Sequence, residues 1–284
     1  MIYVSSSCVK AKRISESVFV LAKKGFKNIE LSGGSKPYKE LTKDLFDLKK
    51  KFDLNYICHN YFPPPQTQFV LNLASLNDEI YDLSYNHLKN AIELSNILGA
   101  TKFGFHAGFL INLPMDQIGR SIEKQTLFDR KKSVEKFKNA CIDLMEFSDI
   151  MNIQLYIENN VLSSSNFKNF EMVNPFLFTD YKSLDEVRVD RIKPLIDYAH
   201  LKVSSNVLGL DFKKELSELL NLTDYIHLSD NNGKADQNKG IQKNSDIFSY
   251  IPPSELRYKV ITLEIYDSLD VIIESYNNLQ EYLK

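Results

Sequence analysis

Eight short apolar runs recur along this chain of 284 residues, and six of them end on a histidine or a carboxylate. The runs are Ile2–Ser6, Asn28–Leu31, Tyr56–His59, Lys102–His106, Ile153–Glu158, Pro194–Asp197, Asp224–His227 and Val260–Glu264. Each is rich in Ile, Val, Leu, Phe and Tyr and largely uncharged before its last residue. Strands of a parallel sheet, covered on both faces, read this way. Longer stretches with helical periodicity lie between them, clearest at Ser15–Lys24, Tyr38–Lys51, Asp78–Leu98, Lys131–Met151, Phe212–Leu220 and Leu269–Leu283. In Asp78–Leu98, the residues Ile80, Leu83, Leu88, Ala91, Ile92, Leu94 and Ile97 predict one apolar helix face. Gly25 and Gly99 stand where helix C-caps are expected.

Strands alternating with helices define an α/β fold, and eight of them point to a single (β/α)8 TIM barrel spanning residues 1–284. The length is close to the roughly 250 residues typical of one such barrel. An open doubly wound sheet often carries a glycine-rich phosphate turn, and neither GxGxxG nor GxxxxGK[ST] occurs here. Two segments exceed a minimal barrel: the proline-rich Tyr61–Ser75, and Asn160–Arg191 with a short helix expected around Ser183–Val189. Both are expected to lie over the barrel mouth.

Hydrophobic residues make up 43% and charged residues 25%, and 35 basic against 37 acidic side chains leave a formal charge of −2. This is not the basic balance of a surface built for nucleic acid. Cys8, Cys58 and Cys141 are few, odd in number and far apart, which argues against a disulfide framework or a thiolate metal cluster. No signal peptide and no run of about 18 apolar residues is visible, so a cytoplasmic protein without a membrane span is expected.

Four of the five histidines (His59, His106, His200 and His227) fall at or just beyond a strand C-terminus. His87 alone sits within a helix and reads as a surface or packing residue. Glu158, Asp197 and Glu264 each follow apolar residues directly, where an unpartnered carboxylate would cost several kcal/mol. A lone strand-end carboxylate is more often a helix cap or salt-bridge partner than a ligand. Seven such side chains converging on one rim are instead the pattern of a divalent cation site. Mixed nitrogen and oxygen ligands suit Zn2+, Mn2+, Co2+ or Fe2+ better than Ca2+; Zn2+ or Mn2+ is the first expectation, with Co2+, Fe2+ and Mg2+ left open.

The order His59-Asn-Tyr-Phe, Phe-His106-Ala-Gly, Ile-Glu158-Asn-Asn, Ile-Asp197-Tyr-Ala-His200, Ile-His227-Leu-Ser-Asp230-Asn and Leu-Glu264-Ile-Tyr resembles the xylose isomerase-like TIM barrels. That superfamily includes sugar isomerases, sugar 3-epimerases and endonuclease IV. The resemblance implies one metal held by Glu158, Asp197, His227 and Glu264. Residues matching the further zinc ligands of endonuclease IV are His59 and His106 beside Glu158, then His200 with Asp236. Where the last ligand should be a histidine the chain has Asn238, which departs from the pattern and leaves one to three metals open.

By the same resemblance, the chain is expected to be a metal-dependent sugar or sugar phosphate isomerase or epimerase. Such chemistry removes a proton beside a carbonyl through an enediolate, with Glu158 and Glu264 as the acid–base pair. His200 is a candidate contact to a substrate oxygen, and Tyr61 or Phe62 a candidate apolar wall. Lys202, Lys234 and Glu30 read more readily as solvated or salt-bridged charges than as part of the sugar site. Asp230 is the expected carboxylate partner of His227. The rivals are cleavage of abasic DNA and a barrel that binds a sugar without turnover. Ser32-Gly-Gly-Ser-Lys-Pro-Tyr can approach a phosphate, but no assured phosphate cluster is legible. The expected partner is a small carbohydrate, and a homo-oligomer is neither required nor excluded.

Overall fold

The computed structural model describes residues 1–284. Eight parallel strands pair in sequence order, and the last pairs with the first to close a barrel. They are β1 Ile2–Ser5, β2 Asn28–Leu31, β3 Asn55–His59, β4 Lys102–His106, β5 Gln154–Glu158, β6 Lys193–Asp197, β7 Tyr225–Leu228 and β8 Val260–Leu263. Helices α1 Ile14–Lys23, α2 Leu41–Phe52, α3 Asp78–Ile97 and α4 Arg130–Ile150 follow the first four strands. Two short helices after β5, α5 Ser164–Asn169 and α6 Tyr181–Val187, precede α7 Tyr198–Leu208 and α8 Phe212–Leu220 after β6. The one-turn α9 Ile247–Tyr250 and α10 Pro253–Leu256 follow β7, and α11 Leu269–Tyr282 ends the fold. No helix is long and apolar enough to cross a membrane.

Strand alternation sorts the residues. Val4, Ile29, Cys58, Phe103, Leu155, Ile196, Ile226 and Ile261 belong to the large core cluster that the helices share. Tyr3, Ile57, Tyr156, Leu195 and Tyr225 form a separate small cluster. Four of these five stand two residues before His59, Glu158, Asp197 and His227, on the same strand face. They form a floor beneath those polar side chains. Below it, Tyr156 donates to Asp224 at 2.7 Å and Lys193 pairs with Asp224 at 2.7 Å.

The helix starts follow capping chemistry. Asn77 accepts from the Ile80 amide, Asp129 from Lys132 and Ser268 from Val271. Gly25 and Gly99 have positive φ just past α1 and α3, as expected of C-terminal caps. The apolar face expected on α3 is corrected in part, because Leu83 and Ile97 are exposed. Its buried stripe is Ser84, His87, Leu88, Ala91, Ile92 and Ser95. Ser84 and Ser95 donate to the carbonyls of Ile80 and Ala91, which lets small hydroxyl side chains pack where Leu was expected.

Candidate metal centre

Glu158, at the end of β5, is fully buried and is the hub of the barrel mouth. Its Oε2 accepts from His59 Nε2 at 2.7 Å and lies 3.1 Å from His106 Nδ1. Its Oε1 lies 3.3 Å from His227 Nδ1 and 3.8 Å from His200 Nδ1. His227 Nδ1 is also 3.2 Å from Glu264 Oε2. One donor atom from each of Glu158, Asp197, His227 and Glu264 falls within 4.8 Å of the others. His106, Glu158 and His200 form a second such group, and His59, Glu158 and His227 a third.

These donors fit a cation. Glu158 Oε1, Asp197 Oδ2, His227 Nδ1 and His106 Nδ1 are buried and lack a hydrogen-bond partner. Such groups are costly to leave bare, and carboxylate oxygens with imidazole nitrogens suit a divalent transition-metal cation. Asp197 divides its oxygens between two tasks. Oδ1 caps α7 by accepting from the His200 amide at 2.8 Å, and Oδ2 stays free.

The supporting contacts set which atom of each ligand is available. His227 Nε2 donates to Glu30 Oε2 at 2.9 Å, which leaves Nδ1 facing Glu158 and Glu264. Tyr225 and Thr262 also donate to Glu30 Oε2, the latter at 3.0 Å. Asn159 joins β5 to β6, accepting from the Asp197 amide at 2.7 Å. Its carbonyl accepts from His200 Nδ1 at 2.9 Å, which directs His200 Nε2 to Asp236 Oδ2 at 3.3 Å. Tyr266 donates to Glu264 Oε1 at 2.6 Å.

Three expectations are corrected. Asp230 does not touch His227; it accepts from Ser245 at 2.5 Å and from its neighbour's amide. Glu30, expected as an ordinary charge, is fully buried and takes the role foreseen for Asp230. Phe62 turns into the main core, while its neighbour Tyr61 lines the mouth and accepts from the Leu71 amide. Lys202 pairs with Asp246 at 2.7 Å, away from the centre, and Lys234 lines one cavity wall. Asn238 accepts from Ser229 at 3.2 Å, a structural use of the position that departs from histidine. Tyr266 and Asn159 carry no role in the sequence reading, although each falls inside a ligand motif, Leu-Glu264-Ile-Tyr and Ile-Glu158-Asn-Asn.

Electrostatics follow from burial and crowding. Burial alone would raise Glu158, but His106, His59 and His227 outweigh it and hold the carboxyl well below the usual range. Burial likewise works against Glu264, yet the His227 imidazole beside it brings it down to about 2. Asp197 is pushed up to about 7 by burial, with Glu158 and Asp236 adding to the effect against His200. Burial drives His106 down to about 4. His227 is held well above the ordinary imidazole value because Glu30, Tyr225 and Glu158 overcome its burial.

Two cavities meet at this cluster, about 710 and 750 Å3 in volume. His106, Glu264, Tyr61 and Tyr266 line both. Glu158 lines neither and lies beneath the histidines.

A family model described as xylose isomerase-like TIM barrel matches residues 18–278. The chain belongs to the xylose isomerase-like TIM barrel family. Among solved structures, a D-tagatose 3-epimerase-like protein is similar with a TM-score of 0.76 and 20% identity, over 99% of this chain and 96% of that one. D-psicose 3-epimerase from Clostridium cellulolyticum, solved with D-tagatose, has a TM-score of 0.64 and 11% identity, over 100% and 99%. Endonuclease IV from Thermus thermophilus has a TM-score of 0.63 and 13% identity, over 99% and 97%. At these identities the likeness is one of fold. No curated protein sequence matches.

Proposed function

We propose that this chain is a divalent-metal-dependent isomerase or epimerase acting on a sugar or sugar phosphate by moving a proton beside a carbonyl. The observation that carries this reading is the joint placement of Glu158 and Glu264 with Asp197 and His227 in one buried donor group at the meeting of two cavities. Similarity to structures named as sugar 3-epimerases supports the substrate class.

A cation held by Glu158, Asp197, His227 and Glu264 supplies Lewis-acid polarisation of neighbouring carbonyl and hydroxyl oxygens. The side chains divide the remaining work. Glu264 faces both cavities and is ionised at neutral pH, the form a base requires. Tyr266 fixes one of its oxygens and leaves the other on the inner side, toward His227. Glu158 is also ionised, and acts from the deeper side as the second proton-handling group. His106 and His200 stand between it and the second cavity, placed to hold substrate oxygens. Tyr61 supplies part of the wall.

Glu264→Gln should lower turnover by about 10^2- to 10^4-fold while leaving the circular dichroism spectrum unchanged. Solvent deuterium exchange at the substrate carbon, followed across a panel of ketoses and their phosphates, measures it directly. Full exchange in the variant would remove Glu264 from the mechanism.

One observation favours a second reading, metal-dependent cleavage at abasic sites. His59, His106 and His200 group around Glu158, and Asp236 lies 3.3 Å from His200 Nε2, which supports a donor set for more than one ion. Strand scission of an abasic duplex by the metal-loaded protein, with no ketose exchange, would decide for it.

A further inference from the structure

We propose that the cavity between the loops following β1 and β2 binds a terminal phosphate monoester, so that the substrate is a phosphorylated sugar. The inference rests on the sugar-chemistry reading above and narrows it. The lining of the 710 Å3 cavity contains two chemically distinct groups of residues. His59, His106 and Glu264 form the first, at the candidate metal centre. Lys10, Lys12 and the Ser32-Gly33-Gly34-Ser35 turn form the second. A single small molecule with hydroxyl and carbonyl oxygens at one end and an anion at the other matches that division.

The second group offers donors and cations that the protein itself leaves unused. Neither Lys10 nor Lys12 takes part in an ion pair, although lysines elsewhere, such as Lys43, Lys136 and Lys243, do. The amides of Gly33, Gly34 and Ser35 donate to no protein acceptor. Ser35 Oγ is buried without a partner. Glu264 is the only acidic side chain lining the cavity, and it belongs to the metal-centre group. In a chain with a net charge of −2, this is a local concentration of positive potential and free N–H groups.

The turn is built for close approach. A Cβ at Gly33 would lie 3.3 Å from the Tyr61 amide nitrogen, and Gly34 has a φ of +92°. Both positions therefore favour glycine, which leaves the turn's amides without side-chain cover. The Lys36 amide donates to the Lys12 carbonyl at 2.9 Å, which holds the lysine loop beside the turn. A phosphate dianion there receives charge-assisted bonds from two ammonium groups as well as from backbone donors.

The test titrates the metal-loaded protein calorimetrically with inorganic phosphate and with glycerol 1-phosphate. Three proteins are compared: wild type, the double variant Lys10→Ala/Lys12→Ala, and Lys243→Ala as a distant charge control. Wild type and control should bind both probes, and the double variant should bind at least roughly tenfold more weakly. In parallel, kcat/KM for ketose phosphates relative to the free ketoses should exceed about tenfold in wild type and fall toward parity in the double variant. Equal phosphate affinity in wild type and double variant overturns the proposal. So does a phosphate preference that survives the double substitution. The two levels of inference separate cleanly. Lysine-dependent phosphate binding without proton exchange in any ketose keeps the phosphate site and removes the sugar chemistry. Free ketoses turned over as well as their phosphates keep the chemistry and remove the site. Displacement of glycerol 1-phosphate by an abasic duplex, through the same lysines, assigns the cradle to a diester and also overturns it.

Discussion

Glu30 shows how one buried side chain governs another. Three hydrogen bonds end on its Oε2, and the one from His227 decides which imidazole nitrogen faces the carboxylates. Glu30→Gln, nearly the same shape, removes the charge that orients the ring. Metal affinity measured by titration with Mn2+ or Zn2+ should fall about 10- to 100-fold, without loss of the folded baseline. Unchanged affinity would show that the ring is held by packing alone. His87 gives a separate prediction outside the centre. Burial lowers it to about 4 from an ordinary value of 6.5, so the folded protein holds this imidazole neutral while the unfolded chain takes up a proton. Between those values the unfolded state binds more protons, so this contribution is complete above pH 6.5 and lost as pH falls toward 4. His87→Gln should therefore reduce the stability lost between pH 7.5 and 4.5 by about 2 to 3 kcal/mol, read from urea unfolding.

At the scale of elements, β4 depends on a small residue. A Cβ at Gly104 would meet the His59 ring at 2.7 Å and Leu195 at 2.9 Å. Gly104→Ala should destabilise the fold by about 1 to 3 kcal/mol and displace His59 from Glu158, seen as a lower urea midpoint and altered imidazole resonances. The strands were legible because each is apolar on both faces, and every observed one lies within a residue of its expected start and end. Helices with leucine-rich faces were legible too, with α8 at Phe212–Leu220 as expected. By contrast, α7 escapes periodicity because it begins directly at Asp197 and buries Ser204 and Ser205 as well as Leu201 and Val203. The loop at 107–129 gave no compositional signal, yet Ile118 to Ile122 line the second cavity. Ligand candidates were legible because they close apolar runs. Glu30 was not, because it lies inside its run, where only the two-residue alternation marks it as inward-facing.

For the whole molecule, the centre is a long-range object. His59 and Glu158 are 99 positions apart, and Glu30 and Thr262 are 232. A cation held by Glu158, Asp197, His227 and Glu264 would tie together β5, β6, β7 and the end of β8, and would favour the closed barrel over the unfolded chain. Mass action then predicts that removing it with a chelator lowers the thermal midpoint, and that ion at 100 times its Kd restores about 2.7 kcal/mol. Calorimetric scans with and without EDTA measure this, and identical midpoints would count against an ion in the folded state.

The seam between β1 and β8 pairs Ile2, Tyr3 and Val4 with Ile261, Thr262 and Leu263, and the amino terminus donates to the Lys259 carbonyl. A nascent polypeptide emerging from the ribosome thus has neither a shut cylinder nor its final acidic ligand until β8 and Glu264 have been made. A product stalled before residue 260 therefore lacks Glu264 and the closing strand, and is left with the smaller donor groups that Glu158 makes with His59, His106, His200 and His227.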